Sequence, residues 1–300
     1  MMTHVAAVLA LSLAAVGIVK SNVLREARPA KAEIAAPVDG LRVATADVAK
    51  GQTRSLVAQS ETVGKAGGSL ALVIGNARYP DDEAPLRQPL DDARAMANEM
   101  RARGFEVTLG ENLTKQAMRD AFSGFAAKVE PGATALVFFS GYGIQSGRQS
   151  YLIPTNAEIW REEDVRRDGV ALDPLLADIE ARGAAVKLVV IDASRRNPYE
   201  RRFRGAAIGL APISAPQGTL VIYSAAPGQV IPDKDTDLFA PELIAQMRRD
   251  GASVEDAFNR TRLTVARASN EQQVPGVFSS LTRDLSLPPV ASAPVRHSAR

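Results

Sequence analysis

The sequence predicts an α/β domain, a mainly parallel sheet covered by helices, and three observations carry that prediction. Short β-rich apolar runs alternate with longer amphipathic stretches across residues 69–286. Several runs, ALVFF and KLVVI among them, are apolar almost throughout, which is how a strand buried on both faces must read. Helix-capping chemistry falls at the seams between the two kinds of segment.

Taken in order, the first strand is expected over Leu70–Gly75, and the helix Pro89–Arg103 follows with Asp91 or Asp92 as its cap. Gly104 stops that helix, and Phe105–Leu109 reads as the second strand. Thr114 caps a helix running to Val129, and Ala135–Ser140 is the third strand. Asp173–Arg182 is the next helix, stopped by Gly183, and Val186–Ala193 is the fourth strand. Thr219–Ser224 is the fifth, followed by helices over Pro241–Asp250 and Val254–Ala268, the last capped by Ser253.

Outside this unit the composition changes. Val5–Val19 is an uncharged apolar run of the length of a signal-peptide core, shorter than the ~20 residues of a membrane span. Residues 1–24 are therefore expected to be a signal peptide or membrane anchor, which places the protein in the periplasm or on the inner membrane. Residues 25–68 lack aromatics and end in GKAGG, the composition of a flexible linker. The stretch 287–300 carries three prolines, too many for a regular element, and is expected to be a disordered tail.

Composition also excludes chemistry. With 36 Lys and Arg against 34 Asp and Glu, the net charge of +2 gives no field that would favour nucleic acid. No cysteine is present, which removes disulfides, thiolate nucleophiles and Cys-ligated metals. The only histidines, His4 and His297, lie near the chain ends, so the folded unit holds no imidazole for proton transfer.

In an open parallel sheet a ligand binds beyond the carboxyl ends of the strands. The segments there are Gly75–Tyr79, Ser140–Gly143, Asp192–Pro198 and Ser224–Gly228. Each mixes small and polar residues, which fits either a ligand cradle or tight βα turns.

The stretches LALVIGNARYP, PLDDARAMANEMRARGFEVT, ALVFFSGYG, YLIPTNA, KLVVIDASRRNPYERRFRGAAIGLAPISAPQGTLVIYSAAPG, SVEDAFNRTR and QVP together resemble the bacterial caspase-like peptidases of the metacaspase or orthocaspase branch. The resemblance covers nearly all of the folded unit. It implies a three-layer sandwich, a mainly parallel six-stranded sheet between helices, with the site at the strand ends named above. It also implies a cysteine peptidase dyad: a histidine after the third strand and a cysteine after the fourth. Those positions hold Tyr142 and Ser194 here.

A serine hydroxyl needs an adjacent base, and a phenol with a pKa near 10 is a poor one. Lys187 lies seven residues before Ser194, roughly 23 Å away at strand rise, so no Ser–Lys pair forms. The expected function is therefore that of a pseudopeptidase that binds peptide or protein partners through an inherited cleft. The alternative is an atypical endopeptidase using Ser194 with help from Tyr142 or Asp192 and cutting after Arg or Lys. The amides of Gly143 and Ser194 match the oxyanion-hole positions of the resemblance. Asp192 matches its substrate-pocket carboxylate, with turn capping as the other reading, and Arg196 stands where the family often has an acid.

No cofactor or metal is expected. Asp233, Asp235 and Asp237 alternate as in a calcium loop, but Leu238 and Ile244 replace the required Gly and Glu, so calcium has little support. Arg195–Arg204 holds five arginines against Glu200 and reads as a solvated loop or a docking site for an acidic partner or anionic lipid. Trp160, the only tryptophan, is read as packing at the edge of the core, with an exposed anchor as the other reading.

Overall fold

The structure is a computed structural model that describes residues 61–62, 67–80, 86, 88–193, 209–213, 215–231 and 238–290. In chain order the elements are β1 (Glu61–Thr62), β2 (Ser69–Gly75), α1 (Pro89–Ala102), β3 (Glu106–Glu111), α2 (Lys115–Lys128), β4 (Thr134–Ser140), β5 (Gly143–Ser146) and β6 (Gln149–Leu152). They continue with α3 (Glu162–Asp168), β7 (Val170–Ala171), α4 (Leu172–Ala181), β8 (Val186–Asp192), β9 (Thr219–Tyr223), α5 (Phe239–Met247), α6 (Val254–Ala268), β10 (Gly276–Ser279) and β11 (Leu285–Ser286).

The apolar runs assemble into a six-stranded sheet of order β10-β9-β8-β4-β2-β3. All neighbours are parallel except β10, which runs antiparallel to β9. Alternate residues divide between two cores. Ala71, Val73, Leu136, Phe138, Leu188, Val190, Leu220 and Ile222 pack with the apolar faces of α1, α5 and α6. Leu72, Ile74, Val137, Phe139, Val189, Ile191 and Val221 pack with those of α2 and α4. Every residue of β4 and β8 is buried, and this is why neither run alternates with polar residues. Each large side chain so removed from water contributes about 1.5–3 kcal/mol, before the entropy of ordering the chain is subtracted.

The caps divide into two outcomes. Thr114 accepts the Ala117 N–H and Ser253 accepts the Asp256 N–H, as their side-chain chemistry requires. Gly104 and Gly183 end their helices at φ +80° and +83°, the left-handed conformation glycine adopts without steric cost. The α1 expectation is corrected: Pro89 opens the helix, Gln88 is the N-cap without a side-chain bond, and Asp91 and Asp92 lie inside the first turn.

A second, three-stranded sheet of order β5-β6-β7 and the helix α3 leave no clear signal in the sequence. They enclose a small separate core of Tyr79, Tyr142, Ile144, Tyr151, Ile153, Ala157, Ile159 and Val165. Within the stretch expected as linker, Glu61–Thr62 pair in parallel with Leu285–Ser286. At the other end Leu287 packs on the main core and the Pro288 carbonyl accepts from Arg103 at 2.7 Å, so ordered chain extends into the expected tail. Residues 1–60 and 291–300 lie outside the described residues, and with them the apolar segment and most of the linker and tail. Among the described residues no helix is long and apolar enough to cross a membrane.

Candidate functional site

The carboxyl ends of β2, β4, β8 and β9 meet at one end of the sheet, and the residues that follow each strand are fixed by polar side chains. Asn76, fully buried after β2, donates through Nδ2 to the Ile153 carbonyl at 3.1 Å and accepts the Leu113 N–H at 2.9 Å. Its own N–H bonds the Ser140 carbonyl at 2.9 Å, which joins the β2 and β4 ends. Asn112, in the left-handed region at φ 49°, accepts the Ala77 and Arg78 N–H groups at 3.0 Å each.

Beyond β4 the chain turns through Ser140-Gly141-Tyr142-Gly143. The Gly141 N–H bonds the Asp192 carbonyl at 3.2 Å, and the turn has no room for a side chain, since a Cβ on Gly141 would lie 2.6 Å from the Tyr79 hydroxyl. The Tyr142 ring is only 6% exposed and packs on Tyr79 with centroids 4.7 Å apart. Its backbone N–H donates to the Tyr79 hydroxyl at 3.0 Å. Gly143 lies directly against the β8 end: a Cβ there would come within 2.9 Å of Ala193 Cβ and 2.8 Å of Leu210 Cδ2.

Asp192 is fully buried, and its Oδ2 accepts from Ser140 Oγ at 3.1 Å. The two are partners in the β4–β8 register, and their side chains lie on the face of the sheet shared with Phe138 and Val190. Ser224 follows β9 on the same face, its N–H bonded to the Ile191 carbonyl at 2.9 Å. The Ser224 hydroxyl is buried and has no hydrogen-bond partner among the described residues. Gln273 fixes this strand end by donating to the Ser224 carbonyl at 3.0 Å. Asp92, buried in the first turn of α1, is a further carboxylate at this end, because α1 begins against Gly75 at the end of β2.

Three of the four residues expected at the site, Tyr142, Gly143 and Asp192, thus come together at one end of the sheet. Ser194 lies outside the described residues, although its neighbour Ala193 touches Gly143. The arginine-rich loop falls within 194–208, and the aspartates of the calcium-like loop within 232–237, so both lie outside as well. Ser140, Ser224, Tyr79 and Asn76 complete the arrangement; they lie in the strand-end segments read from the sequence, which gave none of them an individual role. Ser140 ends β4 and Ser224 follows β9, each at the same parity as the α1/α5/α6-facing residues of a largely apolar strand, which is the one signal that marks them. Of the two readings of Trp160, core-edge packing is corrected: the residue is 62% exposed, as the other reading has it. Ile159 beside it is the residue that enters the small core.

Lys187 is held at the opposite end of the sheet. Its ammonium pairs with the Glu180 carboxylate and donates to the Ala184 carbonyl at 3.2 Å, so it offers no base to the cleft. Burial pushes the Tyr223 phenol well above its ordinary pKa, and its hydroxyl accepts the Ile213 N–H at 2.9 Å as a fixed structural bond. Among the described residues no group of three or more acidic or histidine side chains is placed to hold a metal ion.

Chemically, this end of the sheet offers buried acceptors, a carboxylate and two hydroxyls on one face, and a glycine amide on the turn beside them. Two curated relatives are similar to part of the chain. Mucosa-associated lymphoid tissue lymphoma translocation protein 1 of Homo sapiens is 26% identical over 133 residues, 44% of this chain and 16% of that protein. Its homolog in Mus musculus is 26% identical over the same length, 15% of that protein, so the chain spans a small part of either relative. The sequence profile of the caspase domain matches residues 69–286, the region of the six-stranded sheet and its helices, and the chain belongs to the caspase-domain family.

Proposed function

We propose that this protein is a caspase-domain pseudopeptidase of the metacaspase or orthocaspase kind, whose cleft binds a peptide or protein segment without cleaving it. The observation that carries the reading is Tyr142. The resemblance puts a proton-transferring imidazole at this position; the phenol here is buried against Tyr79 and its main chain is tied to the same residue. A phenol that ionises near pH 10 in water does not accept a proton at neutral pH, and the chain has no cysteine to supply the nucleophile.

The binding half of the cleft supports retained recognition. Asp192, Ser140 and Ser224 form an acceptor row suited to the guanidinium or ammonium of an Arg or Lys side chain. The Gly143 amide can take a peptide carbonyl, because backbone geometry survives side-chain replacement. The apolar run Val5–Val19 supports export, with the domain periplasmic or held at the inner membrane.

The test is turnover of a mixed peptide library, products read by mass spectrometry, by the natural chain, by Ser194→Ala and by the double variant Tyr142→His with Ser194→Cys. The expected result is a silent natural chain and a double variant that cuts after basic residues. Cleavage by the natural chain that Ser194→Ala abolishes would replace this reading with a serine-dependent endopeptidase.

A further inference from the structure

Tyr79 does more at this site than pack. Its hydroxyl accepts the Tyr142 N–H at 3.0 Å and donates to the Ile153 carbonyl at 3.2 Å. On the other half of the same residue pair, the Ile153 N–H reaches the Tyr142 carbonyl directly at 2.9 Å. Two residues facing each other in a hydrogen-bonded antiparallel pair exchange both bonds directly. Here one bond is direct and the phenol stands in the path of the other. The hydroxyl is a wedge at the mouth of the β5–β6 hairpin, and Gly141 leaves the space it occupies.

The wedge acts on the next residue. Gly143 pairs with Leu152, one step along the ladder from the Tyr142–Ile153 pair. Residues alternate in the direction of their backbone groups, so the Gly143 N–H turns away from β6, to the open edge of β5. Gly143 is also the residue packed against Ala193 and Leu210. The spread of the hairpin mouth therefore sets where this amide points.

We infer that Tyr79 is a positioning residue of the cleft: its hydroxyl, set between the Tyr142 N–H and the Ile153 carbonyl, holds the hairpin open and aims the Gly143 amide at a peptide carbonyl. The consequence for a bound peptide rests on the pseudopeptidase reading; the wedge does not.

The experiment compares the full natural chain with Tyr79→Phe, which keeps the ring and removes the hydroxyl, and with Tyr79→Leu, which removes both. Hydrogen exchange is followed by mass spectrometry, with fragmentation that resolves residues 141–153. In Tyr79→Phe, exchange at Tyr142 is expected to change by about tenfold or more, with β8 and β9 unaltered and the melting temperature nearly kept. Unchanged exchange over 141–153, or a change spread evenly through the six-stranded sheet, overturns the inference. Tyr79→Leu adds the packing loss and shows how much of any effect belongs to the ring. Binding of acetyl-Gly-Arg-amide by the natural chain is expected to weaken about tenfold in Tyr79→Phe, the loss of one well-placed donor. If the natural chain binds no peptide, the pseudopeptidase reading fails while the exchange data still decide the role of Tyr79.

Discussion

The two ends of the main sheet differ in the charged groups they bury and in what holds them. At the amino end every buried charge is closed by partners. Lys187, 1% exposed, takes the Glu180 carboxylate and the Ala184 carbonyl. Arg103 donates to Glu99 at 2.8 Å, to the Pro288 carbonyl at 2.7 Å and to the Met247 carbonyl at 2.7 Å, while Arg248 takes the second Glu99 oxygen. At the carboxyl end the row Ser140–Asp192–Ser224 is equally buried, yet the Ser224 hydroxyl is left without a partner among the described residues. Leaving a buried polar group unpaired costs free energy. Thr219 Oγ1, at the amino end of β9, is likewise buried without a partner among the described residues, so the difference between the ends lies in how the buried charges are held.

The largest effect expected from this contrast is at Arg103. Truncation to Ala leaves Glu99 buried with Arg248 alone and frees the carbonyls of Met247 and Pro288, which weakens the tie between α1 and α5 and releases the chain beyond β11 from α1. Breaking a buried, hydrogen-bonded pair costs about 3–5 kcal/mol. Urea unfolding of Arg103→Ala should show that loss, and peptide binding should be unchanged under conditions where the variant is folded. A loss below about 1 kcal/mol, the range of an exposed pair, would mean that the amino end is no lock.

How much of this was legible in the sequence depends on the range of the interaction concerned. β4 and β8 were readable because burial on both faces writes itself into every residue, and Thr114 and Ser253 because a cap acts within three residues. The cap of α1 was misplaced because Pro89 starts the helix before the two aspartates. The strands β5 and β6 hold four residues each, GIQS and QSYL, too few for a periodic signal, and their pairing depends on the tertiary core around Tyr151 and Ile153. At the site, Asp192, Tyr142 and Gly143 were reached through the resemblance. Ser140 and Ser224 were reached only as members of the strand-end segments, without roles of their own, because a serine at a strand end looks like any turn residue until the register places it beside Asp192. Tyr79 closed one of those segments, but its role was not legible because its bond spans 63 positions to Tyr142.

A middle-sized effect of unusual sign is expected at Ser224. Replacing the hydroxyl with hydrogen in Ser224→Ala removes a buried group that meets no partner, and the folded state should gain about 1 kcal/mol. The same change removes one acceptor from the row beside Asp192, so binding of arginine peptides should weaken while the melting temperature rises. A variant that loses stability would show that the hydroxyl is satisfied in the working molecule, and the distinction between the two ends would narrow.

The smallest effect belongs to the outwork of the carboxyl end, where α3 covers the small core with surface ion pairs. Asp168 has its pKa lowered, chiefly by the hydrogen bond from Arg167, with burial opposing. Burial pushes the Asp164 carboxyl up, but N–H bonds from Trp160 and Arg161 and the charges of Arg167 and Arg161 outweigh it, and the net shift is downward. A carboxylate with a lowered folded pKa adds stability above its unfolded pKa and loses it as pH falls through the folded one. The contribution is therefore complete at neutral pH and decays only below the ordinary carboxylate value of about 4. Trp160, the one tryptophan, donates its backbone N–H to Asp164 at 3.0 Å and so reports the event. Its fluorescence should change on acidification below about pH 4, ahead of the far-ultraviolet signal of the sheet, because Asp164 ties its main chain to α3. Asp168→Asn should cost no more than about 1 kcal/mol, since Arg167 is half exposed and the pair is screened by water. If Trp160 and the sheet respond together, α3 is part of the cooperative core, and the carboxyl end is held as firmly as the amino end.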